Sequence, residues 1–417
     1  MKTKGKAMNR RYAALLLALP LAAWAQEAPS WKFSGYGTVG AAHSDNRQAD
    51  YLIDEFKPNG PGYTHTWSAD VDSRLGLQLS AQFTPTVSAV VQVLSKQDES
   101  NSYRPELEWA NVRWQPTPEF SLRAGRIVLP VFMVTDTRWV GYSNPWVRPP
   151  VEMYAMVPVS HNDGVDASYR LDLASAANTF QLTFGTWKHD FPTATGYGGG
   201  TAKARNILAF IDTFETGPLT LRVSLGRANL EIPQFSQFTD AFAAFGPLGQ
   251  GIADRYFPST MHLKYVGLGA TYDPGRWFAM GEWGRFDTKS VLGTKVAWYG
   301  SAGYRLGKFT PYVTYARASV DSPTSDPGIP LAALPPSVVP TAAFLNGALN
   351  QTLNLLPRQR TVSIGARWDF AKNAALKVQY DHVDLDAGST GTFGNIQPGF
   401  QPGGRVGIFS AVVDFVF

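Results

Sequence analysis

Residues 69–84 read ADVDSRLGLQLSAQFT. Val71, Leu75, Leu77, Leu79, Ala81 and Phe83 fall on odd positions, while Asp70, Asp72, Arg74, Gln78, Ser80 and Gln82 fall on even ones. Successive side chains of a strand point to opposite faces, so the segment has one apolar face and one charged, hydrated face. Helical spacing would scatter the leucines around the axis, so a half-buried strand is predicted.

The same alternation recurs to the last residue. Residues 87–93 repeat it with Val87, Ala89, Val91 and Val93, residues 164–173 with Val165, Ala167, Tyr169, Leu171 and Leu173, and residues 405–417 with Phe409, Ala411, Val413, Phe415 and Phe417. Counted along the chain, sixteen strands in eight hairpins are expected. The links between them differ in length. Short turns such as TPT (84–86), ETGP (215–218), DPG (273–275), RLGK (305–308) and AKNA (371–374) alternate with long segments, among them 127–163, 228–258 and 318–357. Residues 341–356 and, more weakly, 240–245 carry helical patterns inside long segments, expected to pack on the molecule's own wall.

The first 25 residues read as a cleavable export leader. Lys2, Lys4, Lys6, Arg10 and Arg11 precede the apolar run AALLLALPLAA (13–23), and Ala23-Trp24-Ala25 fits an A-x-A cleavage site. The run is too short to span a bilayer as a helix. The whole chain carries 37 Lys+Arg and 33 Asp+Glu. Without the five leader residues the balance is 32 against 33, a net charge of −1, which argues for no nucleic-acid partner. There is no Cys, which excludes disulfides and thiolate metal sites. Residues 26–417 show no hinge or composition break and read as one unit.

Alternation alone does not tell an inward apolar face from an outward one. Short turns opposed to long loops, aromatics at the ends of the apolar faces (Trp114, Phe120, Phe214, Tyr272, Trp277, Tyr304, Phe309, Trp368, Phe370), and a final strand ending at Phe417 together favour a transmembrane antiparallel β-barrel. A barrel must pair its last strand with its first, because an open edge in lipid leaves backbone groups unsatisfied.

On the opening FSGYGTVG, the strand-and-turn layout and the terminal DFVF, the chain resembles the Gram-negative general porin family over essentially its whole mature length. The resemblance implies an outer-membrane channel with short periplasmic turns, long extracellular loops, and a third long loop, after the fifth strand, folded into the pore. It implies a homotrimer, contact with lipid and lipopolysaccharide, and recognition of Phe417 by the barrel assembly machinery. In place of the PEFGG-type loop motif of enterobacterial porins, the chain has LPVFMVTDTRWVGYSNPWVRPPVEMY (129–154).

If the apolar face meets lipid, the alternate face lines water, and sixteen strands are wide enough for an aqueous channel. The expected pore-lining residues are Arg74, Arg113, Arg123, Arg170, Arg222, Lys295, Arg305 and Arg367, with Arg205, Lys264 and Lys377 also on that face. Asp70, Asp72, Asp166, Asp172, Glu282, Asp369 and Asp381 are the acids there. The infolded loop is expected to add Arg126, Asp136, Arg138, Arg148 and Glu152 at the constriction, with Tyr154 beside them. The surplus of basic groups points to passage of small hydrophilic solutes with a preference for anions. A substrate-selective channel for small anions such as carboxylates, and a barrel enzyme or surface-binding barrel, are the competing readings. No cofactor motif and no G-x-S-x-G, H-E-x-x-H or Walker pattern is present. Loop acids at Asp45, Asp50, Asp54 and Glu55, or Asn162, Asp163 and Asp166, lack EF-hand spacing and read as solvated charge.

Overall fold

The computed structural model describes residues 29–193 and 199–417. The predicted leader and most of the glycine-rich 196–200 lie outside the described residues. Sixteen long strands form the wall. The first four are β1 (Ser30–Ser44), β2 (Arg74–Thr84), β3 (Val87–Lys96) and β4 (Glu106–Trp114). Next come β5 (Phe120–Val128), β6 (His161–Asp172), β7 (Ala177–Phe191) and β8 (Gly200–Thr216). β9 (Leu219–Glu231), β10 (Met261–Tyr272), β11 (Trp277–Asp287) and β12 (Thr294–Tyr304) continue the series. β13 (Phe309–Val320), β14 (Gln359–Ala371), β15 (Ala374–Leu385) and β16 (Arg405–Val416) complete it.

Each strand pairs antiparallel with its sequence neighbour, and β1 pairs with β16 through Val39↔Val413 and Ala41↔Ala411. The barrel is therefore closed, and no strand edge faces lipid. Leu75, Leu77, Leu79, Val112, Val165, Leu182, Leu268 and Val313 are exposed on the outer wall, while Arg74, Asn111, Asp166, Thr183 and Thr314 alternate to the inside. That inversion of soluble patterning is what a lipid solvent requires. Trp114, Trp277, Tyr304, Phe309 and Trp368 ring the short-turn end of the apolar band.

Three local features depart from the sequence expectation. β2 begins at Arg74, not residue 69: Ser68 accepts the Asp70 amide and the Ser73 amide bonds Ala69 O, so a local turn replaces the ladder there. In β8 a bulge between Arg205 and Leu208, with Asn206 at φ 52°, shifts the alternation and turns Arg205 outward. Lys264 also stands outside, in line with Val266 and Leu268, because in the upper half of β10 the inward side is the apolar one: Met261 and Tyr265 are buried.

At the closing seam the rings of Phe415 and Phe417 lie over Gly37 and Gly35, where a Cβ on either glycine would overlap a ring atom. The small outward residues of β1 are thus covered by aromatics of β16, which pins the register of the closing pair.

The long loops fill the extracellular mouth. α2 (Ser236–Ala243) and α3 (Gly246–Tyr256) pack Phe242, Ile252 and Phe257 into the interior, and α4 (Val339–Asn354) buries Leu345, Leu349 and Leu353. The predicted 341–356 helix is thus present as α4, and the short 240–245 pattern overlaps α2. Asn346 and Asn350 tie α4 to the backbone of Ile329 and Asp326.

Candidate pore constriction

The third long loop, residues 129–160, leaves the top of β5 and crosses the lumen, with a short helix α1 (Val151–Tyr154) in its last third. Its backbone groups are met by cations on the far wall. Arg74 Nε donates to Trp139 O (2.8 Å), Arg222 Nη1 to Phe132 O (2.8 Å), and Lys377 Nζ to Gly141 O (2.6 Å) and Trp146 O (2.9 Å). Arg367 Nη1 donates to Tyr142 O (2.5 Å) and stacks its guanidinium on the Tyr142 ring at 4.6 Å. A loop inside a barrel has no strand partner for its carbonyls, so these side chains supply the hydrogen bonds that a buried backbone must have.

Loop side chains add a second set of anchors. Arg148 Nε and Nη2 donate to both oxygens of Asp72 (2.9 and 2.6 Å), and Nη1 reaches Asp381 at 3.2 Å. Burial alone would lower the Arg148 pKa, but the adjoining Asp72 and Asp381 outweigh it and raise it. Glu152 accepts from Gln359 Nε2 (2.7 Å) and from Thr361 Oγ1, and burial holds its carboxyl above the usual range. Tyr154 Oη donates to Glu282 Oε1 (2.6 Å), whose other oxygen takes the Met133 amide (2.8 Å). Trp146 Nε1 is shared between Ser301 and Thr314.

The loop leans on the β9–β16 side of the barrel and leaves space against β1–β6. That space, about 660 Å3, is lined by Lys32, Gln78, Arg113, Arg123 and Asp136 together with serines 80, 88, 121 and 168. Arg123 is paired through Nε with Asp166 (2.9 Å). Among the described residues neither Lys32 nor Arg113 has an acidic partner within 4 Å, and both are exposed. At the loop's edge Trp139 gathers three cations around its ring: Arg138 at 4.9 Å, Lys96 at 5.2 Å and Arg74 at 5.9 Å. Its Nε1 donates to Glu108 (3.2 Å), and Asp54 lies 3.7 Å from Arg138. Arg74 Nη2 and Arg138 Nη1 are buried with no hydrogen-bond partner in the structure. Burial strips solvent from Arg138 and lowers its pKa, with Asp54 only partly offsetting this.

The residues expected at the pore therefore separate into groups. Arg113, Arg123 and Asp136 border the open space; Arg74 and Arg138 form the Trp139 cluster; Arg222, Lys295 and Arg367 point inward, Arg222 and Arg367 onto the loop backbone and Lys295 to Glu55 at 3.4 Å. Arg148 and Glu152 are buried anchors that present no charge to the lumen. Arg170 and Arg305 sit at the short-turn end, captured by Asp172 and Glu215 and by Asp273. Arg126 stands on the outer side, directly opposite Asp163 on β6, and forks onto it (2.7 and 2.8 Å). The sequence predicts the long segment from residue 127, yet β5 runs on to Val128 with its alternation intact, which aims residue 126 away from the lumen. Lys32, Lys96 and Trp139 were missed. Lys32 and Lys96 were legible from alternation, since Phe33 and Val93 fix the outward phase of their strands; nothing in sequence marks Trp139.

A closed barrel of sixteen strands, apolar outside, with a loop bound across a charged interior, is an outer-membrane channel. The sequence agrees: a Gram-negative porin model matches residues 13–399. The chain belongs to the Gram-negative porin family. Among solved structures it is similar in fold to the trimer form of the outer-membrane protein OmpT of Vibrio cholerae (10% identity, 94% of this chain and 100% of that one, TM-score 0.52). It is likewise similar to OmpF of Salmonella typhi in complex with daunomycin (10% identity, 92% and 97%, TM-score 0.50). No curated protein matches the sequence.

Proposed function

We propose that the channel passes small hydrophilic solutes and ions by passive diffusion, with a preference for anions, along the space between the infolded loop and β1–β6. The observation that carries this reading is the surplus of cations on the open side: Lys32 and Arg113 line the space, exposed and with no acidic partner among the described residues, and Arg74, Arg138 and Lys96 gather on the Trp139 ring. Exposed cations along a solvated path raise the local anion concentration, and buried ones nearby add to the same field. Lys32 and Arg113 extend the same sign along the space. The inner carboxylates Asp72, Glu152, Glu282 and Asp381 are all engaged in holding the loop, which supports a channel rather than an enzyme.

Arg113, which lines the space exposed and with no acidic partner among the described residues, favours as a second reading selectivity for small carboxylates, because a guanidinium fork matches a carboxylate geometrically. Liposome swelling distinguishes the two. Diffusion predicts uptake of acetate and lactate that rises linearly with concentration; a carboxylate site predicts saturation. Equal rates for these anions and for uncharged solutes of the same size would contradict both.

Assembly belongs to the same proposal. A homotrimer is supported by the fold shared with an outer-membrane protein solved in trimer form. Export through the 1–25 leader, recognition of Phe417 by the assembly machinery, and contact of the outward Arg205, Lys264, Arg285 and Arg360 with lipopolysaccharide phosphates complete the reading. Crosslinking after gentle detergent extraction tests the trimer.

A further inference from the structure

The extracellular half of the interior holds a feature that permeation does not use. An apolar cavity of about 140 Å3 lies among Trp187, Phe191, Ala204, Leu230, Phe286 and, from the first long loop, Phe56. The wall residues are inward-facing positions at the tops of β7, β8, β9 and β11, where a channel wall would be polar. Phe56 packs against Trp187 with ring centroids 5.7 Å apart. The end of the infolded loop, residues 156–159, adds to the lining, and two charged residues border it: the buried Lys295, whose Nζ lies 3.4 Å from Glu55 Oε1, and Glu55 itself. The second carboxylate oxygen, Glu55 Oε2, is buried and has no hydrogen-bond partner among the described residues.

These features specify a ligand. Protein interiors carry few voids larger than a water molecule. A water needs two to four polar partners, which these walls do not offer, and a dry apolar cavity of about 150 Å3 holds one benzene ring. The Lys295–Glu55 pair is neutral as a unit, so the site has no net call for a charged ligand. It does have one orphan acceptor, and a buried acceptor is satisfied only by a donor. A bare ring would leave Glu55 Oε2 unpaired, and a ring carboxylate would set a second anion against it.

We propose that this cavity binds a single uncharged aromatic ring carrying a hydroxyl group, a ligand of the phenol class. The ring fills the space between Phe56, Trp187 and Phe286, and its hydroxyl donates to Glu55 Oε2. The site is separate from the permeation path and its existence does not depend on the anion preference.

Ligand-observed fluorine NMR on the intact detergent-solubilised protein tests it, with 4-fluorophenol and 4-fluorobenzoate as probes. The expected result is saturable broadening of 4-fluorophenol, relieved by phenol, with 4-fluorobenzoate at least about tenfold weaker, the cost of one unpaired buried charge. Ala204→Leu, which fills the cavity, should abolish the broadening in protein that keeps a heat-modifiable barrel; if that variant does not assemble, Ala202→Val takes its place with the same expectation. Glu55→Gln, which removes the negative oxygen, should narrow the gap between the two probes. The proposal is overturned if 4-fluorobenzoate binds as well as 4-fluorophenol, if neither saturates, or if the cavity-filling variant binds 4-fluorophenol like the parent. Conductance recorded on the same samples reports the channel separately, so absence of 4-fluorophenol binding in the parent with conductance intact contradicts this site alone.

Discussion

Arg148 and Asp72 form a two-point ion pair, 2.9 and 2.6 Å long and almost fully buried, that ties the middle of the infolded loop to the turn leading into β2. Asp381 on β15 accepts from the remaining nitrogen, Nη1, and Ser410 on β16 accepts a second hydrogen bond from Nη2. One side chain thus fastens the loop to three parts of the wall, β15, β16 and the turn leading into β2. Buried pairs of this kind contribute little net stability against an apolar replacement, but they become expensive once one partner is removed. Their value here is geometric: they hold the loop against one wall so that the other stays open.

Arg148→Met should therefore release the loop without unfolding the barrel. Leaving Asp72 and Asp381 uncompensated costs about 3–5 kcal/mol, a loss expected in loop protection from protease before any loss of heat-modifiable migration. Single-channel traces should become noisier. Deleting most of residues 129–160 should raise conductance outright, since the narrowest section goes with it. Unchanged conductance after the deletion would place the constriction elsewhere.

Lys57 gives the channel a pH dependence. Its Nζ donates to Gln97 O at 2.9 Å in the extracellular loops, and burial, with Lys96 nearby, brings its pKa down to about 7. A lowered lysine pKa means that the folded state holds the proton less tightly than the unfolded chain. Stability from this group is full above the unfolded value near 10.4, falls as pH drops toward about 7, and is flat below. Raising pH from 6 to 8.5 removes a positive charge close to Lys96 and Arg74, so anion preference should decline over that interval. Lys57→Met should remove the decline. A preference that is constant with pH in the parent would contradict the assignment.

Arg74→Gln with Arg138→Gln should reduce anion preference and flatten its dependence on salt. Fixed charge is felt across a gap comparable with the Debye length, about 8–10 Å at physiological ionic strength, and is lost at molar salt. The parent should lose selectivity between 0.1 and 1 M KCl by about the amount the double variant lacks at low salt. A parent already unselective at low salt would assign these arginines to loop anchoring alone.

Asp212 is an acid on the lipid side. It pairs across to Phe180 and Val223 and stands in line with Phe210 and Phe214. Its Oδ1 has no partner in the structure. A carboxylate on the outer wall near an interface costs about 1 kcal/mol. Asp212→Val should raise the unfolding temperature in detergent and leave conductance unchanged; a lower temperature would mean that Asp212 has a partner on that wall.

Much of the barrel was legible because lipid enforces a period of two. The same rule explains where the reading failed. Arg205 was assigned inward because one bulged residue reverses every position beyond it, and no sequence pattern announces a bulge at Asn206. Lys264 departs from the expected lumen face because at the mouth the lumen is filled by apolar loops, so the polar side of β10 there is the outer one. Within the infolded loop no period exists. Arg138 and Arg148 are ten residues apart and equally charged, yet one lies in the Trp139 cluster and the other is a buried anchor. That difference is set by Asp72, Asp381 and Trp139, which only the closed barrel brings together.

The central claim, that the open side of the lumen carries a surplus of positive charge, is tested most directly by the reversal potential of the purified channel in a planar bilayer across a tenfold KCl gradient at low ionic strength. The account predicts a potential of the sign that marks chloride as the more permeant ion, shifting toward zero at molar salt. A potential of the opposite sign, or none at low salt, would contradict it.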